Sequence, residues 1–202
     1  PKPSSAASDV YKRQGWDDAS LNASELARRA EAQGVSWITV HGRTRCQFYK
    51  GRADWYAIAA VKESVSLPVI ANGDCASLLD AQTMLSLSKA DGVMIGRAAL
   101  GKPWMVGEIA RALAGQNNIE TDVKERQAAV NEHYDDLLSL YGVEIGIRHA
   151  RKHLAAYLED AIAQGAQWSE TERWELLTST DHQVVAKRLA QLYTTIDQRD
   201  AA

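Results

Sequence analysis

The sequence is short of the features that would set it outside the ordinary globular class. Two cysteines in 202 residues, Cys46 and Cys75, cannot make a disulfide framework, and neither has metal-ligand spacing, so no metal site is expected. Apolar runs stop after a handful of residues, as at Leu67–Ala71 and Val93–Ile95, whereas a bilayer span takes about 20. Nothing resembles a secretory leader, so a soluble chain in the reducing cytoplasm is expected. Neither charge dominates: 23 basic and 26 acidic residues leave a net −3, which excludes a protein that is basic overall and confines any nucleic-acid contact to local patches. What is present is unremarkable in bulk. Apolar residues make up 46% and charged ones 24%, which argues against disorder and coiled coil.

The chain starts at Pro1, and its first fourteen residues, PKPSSAASDVYKRQ, have no helical or strand period. The string SSAASDVYKRQ resembles a terminal run carried by unrelated sequences, and residues 1–14 are read as a non-native or disordered tail. From Leu21 the pattern is regular. Helices are expected at 21–33, 54–64, 77–87 and 104–113, and short β-branched strands at 37–40, 68–71 and 91–95. Ser77 with Asp80 is a variant capping box. Strands that are apolar throughout and alternate with helices belong to a parallel sheet, so the class is α/β, as an open sheet or a closed barrel. Beyond Gly115 strands stop. Val130, Tyr134, Leu137, Leu138 and Tyr141 make one helical stripe, Ile147, Ala150, Leu154 and Leu158 a second, and Val185, Leu189, Leu192 and Ile196 a third. The division is therefore 15–115 for the α/β part and 116–202 for a small helical bundle. The six tryptophans are expected in the cores.

Two strand ends carry glycine: Asn72-Gly73-Asp74 after the strand at 68–71, and Gly96-Arg97 after that at 91–95. A helix follows each, so backbone N–H groups and a helix N-terminus converge where an anion could sit, and Arg97 adds a fixed positive charge. Two tight turns would meet the same spacing equally well. His41 ends the strand at 37–40 on the same rim, where a polar group can orient a flat cofactor ring; a histidine that merely satisfies its surroundings is the plainer alternative. The segment from His41 to Arg52 carries four cations, two aromatics and no acid, a mixture suited to phosphates and unstacked bases but also to a solvated loop. Charge is uneven: 13 basic against 11 acidic residues up to residue 110, and 10 against 15 beyond. Within the acidic half, Arg148, Arg151 and Lys152 share one helix face, where a polyanion would relieve their repulsion.

Three stretches, Ile38-Thr39-Val40-His41-Gly42-Arg43-Thr44-Arg45, Pro68-Val69-Ile70-Ala71-Asn72-Gly73-Asp74 and Gly92-Val93-Met94-Ile95-Gly96-Arg97-Ala98-Ala99, closely resemble the tRNA-dihydrouridine synthases, most of all their bacterial type-B branch. Arg148-His149-Ala150-Arg151-Lys152-His153-Leu154 is similar to that family's helical domain. The resemblance implies the last three strands of an FMN-binding (β/α)8 TIM barrel followed by a helical tRNA-binding domain, with NADPH as reductant and a cysteine acid that protonates C5 of the uracil. It implies that Asn72, Gly73, Asp74, Gly96 and Arg97 hold FMN, chiefly its phosphate, with His41 against the flavin. Arg148, Arg151, Lys152 and His153 would meet the tRNA backbone, and Arg43 and Arg45 would reach it near the site. The family's Asn-Gly-Cys-Pro acid loop has no counterpart here, and Cys46 and Cys75 match no acid position. A flavin-contacting lysine belongs four residues before Gly15, where Tyr11 stands, and the role is not given to Lys12. A C-terminal fragment, monomeric and inactive alone, is the expectation. An FMN barrel of dihydroorotate type and a non-enzymatic tRNA-binding helical protein are the alternatives.

Overall fold

The computed structural model describes residues 9–117, 120–194 and 196. Four parallel strands, β1 (Asp9–Arg13), β2 (Trp37–His41), β3 (Val69–Asn72) and β4 (Gly92–Met94), lie side by side in chain order. Helices α1 (Ala23–Ala32), α2 (Tyr56–Glu63) and α3 (Leu78–Ser88) connect them. Ile38, Val40, Val69 and Ala71 are fully buried, as are Ala27 of α1, Ile58 and Val61 of α2, and Ala81 and Met84 of α3. Each large member of this layer contributes roughly 1.5–3 kcal/mol by leaving water. The short crossovers and fully apolar strands produce the α/β layering that the alternation implies. Local chemistry sets the helix starts. The Ser77 hydroxyl accepts from the Asp80 amide at 3.0 Å, and the Asp80 carboxylate reaches back to the Ala76 amide at 3.0 Å. The Asp54 carboxylate accepts from the Ala57 amide at 2.9 Å.

Residues 9–13, placed by composition in a disordered tail, form β1 instead. They pair with β2 from Asp9↔Trp37 to Arg13↔His41, so the sheet has four strands rather than three. The ladder supplied by β2 outweighs a segment in which only Val10 and Tyr11 favour strands. Residues 1–8 of that tail lie outside the described residues.

The second compact unit comprises Ala99–Arg111 and the chain from Gln116, while Ala112–Gly115 go with the first, which runs to Ala98. The boundary expected at 115 is thus displaced: most of α4 (Trp104–Leu113) belongs to the helical unit, because Trp104 packs against its core. Four further helices follow, α5 (Val123–Tyr141), α6 (Val143–Ala163), α7 (Glu170–Thr178) and α8 (His182–Leu189). Their core joins Val130, Tyr134, Ile147, Leu154, Leu158, Leu176, Val185, Leu189 and Leu192, which includes members of all three expected stripes. Capping boxes open two of these helices, Asp122 with Glu125 on α5 and Ser169 with Glu172 on α7; such a cap is worth about 1 kcal/mol. Arg188 ties α8 to α7 through Glu175 at 2.6 Å and Glu172 at 3.2 Å.

Two expectations about aromatic residues hold only in part or fail. Trp104 and Trp168 pack, partly buried, against the helical core, whereas Trp16 and Trp174 are 64% and 65% exposed. Tyr141 continues the Val130–Leu138 stripe in sequence but is 44% exposed, because at the last position of α5 its ring stacks on the exposed His149 of α6 and not on the buried core.

Candidate active site

Parallel register brings the site together. Arg13, His41, Asn72 and Met94 are lateral neighbours across β1, β2, β3 and β4, one row at the C-terminal ends of the strands, where open and closed α/β sheets bind ligands. All four line a cavity of about 600 Å³, completed by Tyr11, Tyr49 and the turns Gly73–Ala76 and Gly96–Ala98. His41, Asn72, Gly73, Asp74, Gly96 and Arg97, singled out one by one in the sequence, therefore share one cavity.

His41 is buried, and its Nδ1 accepts the Arg43 backbone N–H at 3.2 Å. Burial, then the positive charges of Arg13, Arg43 and Arg97, press its pKa down to about 4 against the attraction of Asp74. The imidazole is therefore neutral at pH 7, and with Nδ1 accepting, the proton resides on Nε2. Asn72 donates from Nδ2 to the Met94 carbonyl at 2.8 Å and accepts at Oδ1 from the Tyr11 hydroxyl at 2.8 Å. Position 11 thus faces the cavity. Lys12 points to the opposite side of the sheet, where its ammonium donates to the Ala23 carbonyl of α1 at 3.2 Å and burial lowers its pKa to about 8.

Arg43, expected to reach RNA, is 2% exposed and has another task. Its guanidinium donates to both carboxylate oxygens of Asp74, at 2.8 and 2.5 Å, and to the carbonyls of Lys50 and Gly51. Asp74 also accepts from the Ala53 amide at 2.8 Å. A carboxylate on the cavity wall is thereby neutralised, so it does not repel an anion. Gly73, between Asn72 and Asp74, has φ +117°; a Cβ there would lie 2.8 Å from that of Ala53 and 3.2 Å from His41 Cε1. Only glycine lets this turn close over the imidazole.

Arg97 is exposed, and its guanidinium lies 4.2 Å from the centre of the Tyr49 ring, with Arg13 at 5.7 Å from the same ring. The sequence shows two aromatics in the basic loop, Phe48 and Tyr49, but no local signal for this grip. A Cβ on Gly96 would meet no atom within 4 Å, so the protein's own packing does not require glycine there, and the surface stays open to a ligand. Unbalanced cations, a neutralised acid and glycine-lined turns fit a phosphate monoester. The neutral histidine fits a polar edge of a flat ring.

Arg45 is exposed and lies 4.4 Å from the centre of the Phe48 ring. In the helical unit, Arg148 and Lys152 of α6 are exposed, Arg148 being paired with Glu144 at 2.7 Å. Arg151 is half-buried and donates to the Thr178 carbonyl at 3.2 Å, a cation at the end of α7. His153 is half-buried too, edge-on to His133 with ring centres 4.7 Å apart. Of the two thiols, Cys46 is exposed, and Cys75 is buried beside the cavity, where burial and the Asp80 charge push its pKa up. Among the described residues, no cluster of His, Cys, Asp and Glu could hold a metal, and no helix is long and apolar enough to cross a membrane.

A family model described as dihydrouridine synthase matches residues 8–194. A probable tRNA-dihydrouridine synthase of Rhizobium leguminosarum is 48% identical over 94% of this chain and 58% of its own length. One from Rickettsia conorii is 44% identical over 93% and 55%. A tRNA-dihydrouridine synthase B of Pseudomonas aeruginosa is 39% identical over 87% and 52%. The chain spans about half the length of these curated relatives. Among solved structures, a mandelate oxidase variant with an FMN adduct is similar over 93% of this chain and 56% of its own, with 20% identity and a TM-score of 0.39.

Proposed function

Because this chain belongs to the dihydrouridine synthase family, we propose that it is the cofactor- and tRNA-binding part of an FMN-dependent enzyme that reduces a tRNA uridine to dihydrouridine with NADPH. Its sheet is the C-terminal part of a (β/α)8 TIM barrel, and a helical bundle follows it. The observation that carries the reading is the single row of Arg13, His41, Asn72 and Met94 with Arg97 and the neutralised Asp74 around one cavity.

Each residue then has a task. Arg97 and the turn amides after Gly73 and Gly96 hold the phosphate. Asp74 acts at one remove: through Arg43 and Ala53 it fixes the turn that bears those amides. His41 offers Nε2–H to a ring acceptor, and Asn72 locks β3 to β4 beneath it. FMN, when bound, supplies hydride chemistry toward C6 of the uracil. Arg148 and Lys152 meet tRNA phosphates, with Arg45 near the site, while Arg151 and His153 work mainly by shaping α6. Neither thiol suits the C5 proton: Cys46 does not line the cavity, and the Cys75 thiol is turned to the Ser77 carbonyl at 3.9 Å. The chain of 202 residues alone therefore does not turn over. It acts as a monomer in the cytoplasm, where tRNA is its partner.

Titrating FMN and unmodified tRNA into the purified chain separates this reading from its rivals. A dihydroorotate-type flavoprotein binds FMN and ignores tRNA; a helical RNA-binding protein does the reverse. Both ligands should bind, with Gly73→Val abolishing only FMN. Formation of dihydrouridine by this chain, given NADPH, FMN and tRNA, would refute its inactivity.

A further inference from the structure

We propose that Tyr141 and His149 form a stacking platform for an unpaired nucleobase of tRNA, on a corner of the helical unit. The proposal rests on the tRNA reading above and adds a contact of a different physical kind to its phosphate-binding cations.

The corner is built rigidly. A single residue, Gly142 at φ +75°, joins α5 to α6. Four residues later the two backbones meet at Gly146, where a Cβ would lie 2.7 Å from the Leu137 carbonyl oxygen and 2.9 Å from Leu138 Cα. The side chains that flank this crossing are positioned by main chain rather than by a mobile loop. Tyr141, the last residue of α5, lies over the His149 imidazole with ring centres 4.5 Å apart and planes 25° from parallel. Both are exposed, so the pair offers solvent a flat π-surface already assembled.

The surroundings indicate what covers that surface. Ile145, His149 and Lys152 recur at i, i+4 and i+7 on one stripe of α6, with Arg148 beside them. Leu140 and Val143, on either side of Tyr141 in the chain, and Ile145, one turn before His149, are 73%, 47% and 51% exposed. From Val143 to His153 the only acid is Glu144, and Arg148 already holds it. Flat aromatic faces and apolar rims next to cations match a nucleobase with its phosphate: the base stacks and the phosphate meets Lys152. Because every base has a π-face, such a platform tolerates any base and reads the shape of an unstacked strand.

The test is the affinity of the full chain for an unmodified tRNA transcript over a series of salt concentrations. Tyr141→Ala should weaken binding by about fivefold or more and leave the salt slope unchanged, since stacking releases no counterions. Tyr141→Phe keeps the ring and should bind within about twofold of the parent chain, which separates stacking from misfolding. Lys152→Ala should instead reduce the slope by about one. Tyr141→Ala binding like the parent, or losing slope like Lys152→Ala, would overturn the platform while leaving the tRNA reading intact. No tRNA binding at any salt would overturn both. If Tyr141→Ala alters sedimentation or adsorption to anionic phosphatidylserine vesicles and not tRNA affinity, the patch is a contact between copies or with lipid, and the platform is wrong.

Discussion

Arg43 and Asp74 are 31 residues apart in the chain, yet they close on each other through two hydrogen bonds that join the basic loop after β2 to the turn after β3. The guanidinium is 3% exposed and the carboxylate 30%, so the loop is anchored from inside and the acid faces the cavity already neutralised.

Breaking this pair should be costly. Arg43→Met frees the carbonyls of Lys50 and Gly51 and leaves Asp74 without its main partner, for a loss of about 2–3 kcal/mol in urea unfolding at pH 7, below the 3–5 of a fully buried pair because Asp74 is partly wet. Burial pushes the Asp74 carboxyl up, but the Arg43 bonds, the Ala53 amide and the Arg43 charge together hold it below the usual carboxylate range. Its folded pKa therefore lies under its unfolded one, and the stabilisation is present above about pH 4 and lost on further acidification. The variant should show a shallower acid dependence; an unchanged slope would show that the bridge is inert.

His41 should titrate near pH 4 instead of 6.5. Here the unfolded chain takes up the proton first, so stability rises with pH between about 4 and 6.5 and is level above, a span worth on the order of 3 kcal/mol. Following the His41 ring signals by NMR from pH 8 to 4 checks the value. A midpoint near 6.5 would remove the buried, cation-flanked environment from the account.

Gly73→Ala puts a methyl into Ala53 and against His41 at a left-handed φ. A loss of about 1–3 kcal/mol is expected, together with a changed His41 titration, because the imidazole must move. Thermal melting and the same NMR experiment read the two effects separately.

Tyr49 holds Arg97 by its ring face and not by its hydroxyl. Tyr49→Phe should keep FMN affinity, whereas Tyr49→Ala should weaken it about two- to fivefold, the usual worth of an exposed cation–π contact. Equal losses in both variants would shift the role to the hydroxyl.

Much of this was legible in the residues. Ile38–Val40, Val69–Ala71 and the Ser77 cap announced a parallel α/β layer, and the glycine-bearing strand ends pointed to one rim. Illegible were matters settled by partners far along the chain. Nothing local distinguishes Arg43 from Arg45, yet only Arg43 meets Asp74. Lys12 and Tyr11 are adjacent, but the pleat sends one to α1 and the other to Asn72. The pair Ser169 and Glu172 carries a capping signal for α7, but that helix has little apolar period to accompany it. Tyr141 looked like core since helical spacing cannot say where neighbouring helices end.

An imidazole ringed by guanidinium groups responds to whatever else enters its cavity. A phosphate anion arriving beside Arg97 cancels part of the field that expels the His41 proton, so binding raises the pKa of the imidazole from about 4 and is coupled to proton uptake just above that pH. Ligand capture then carries a heat that depends on the ionisation enthalpy of the buffer. Calorimetry in two buffers at about pH 5, with sulfate as the anion because it does not itself titrate there, counts those protons with a ligand that has no colour of its own.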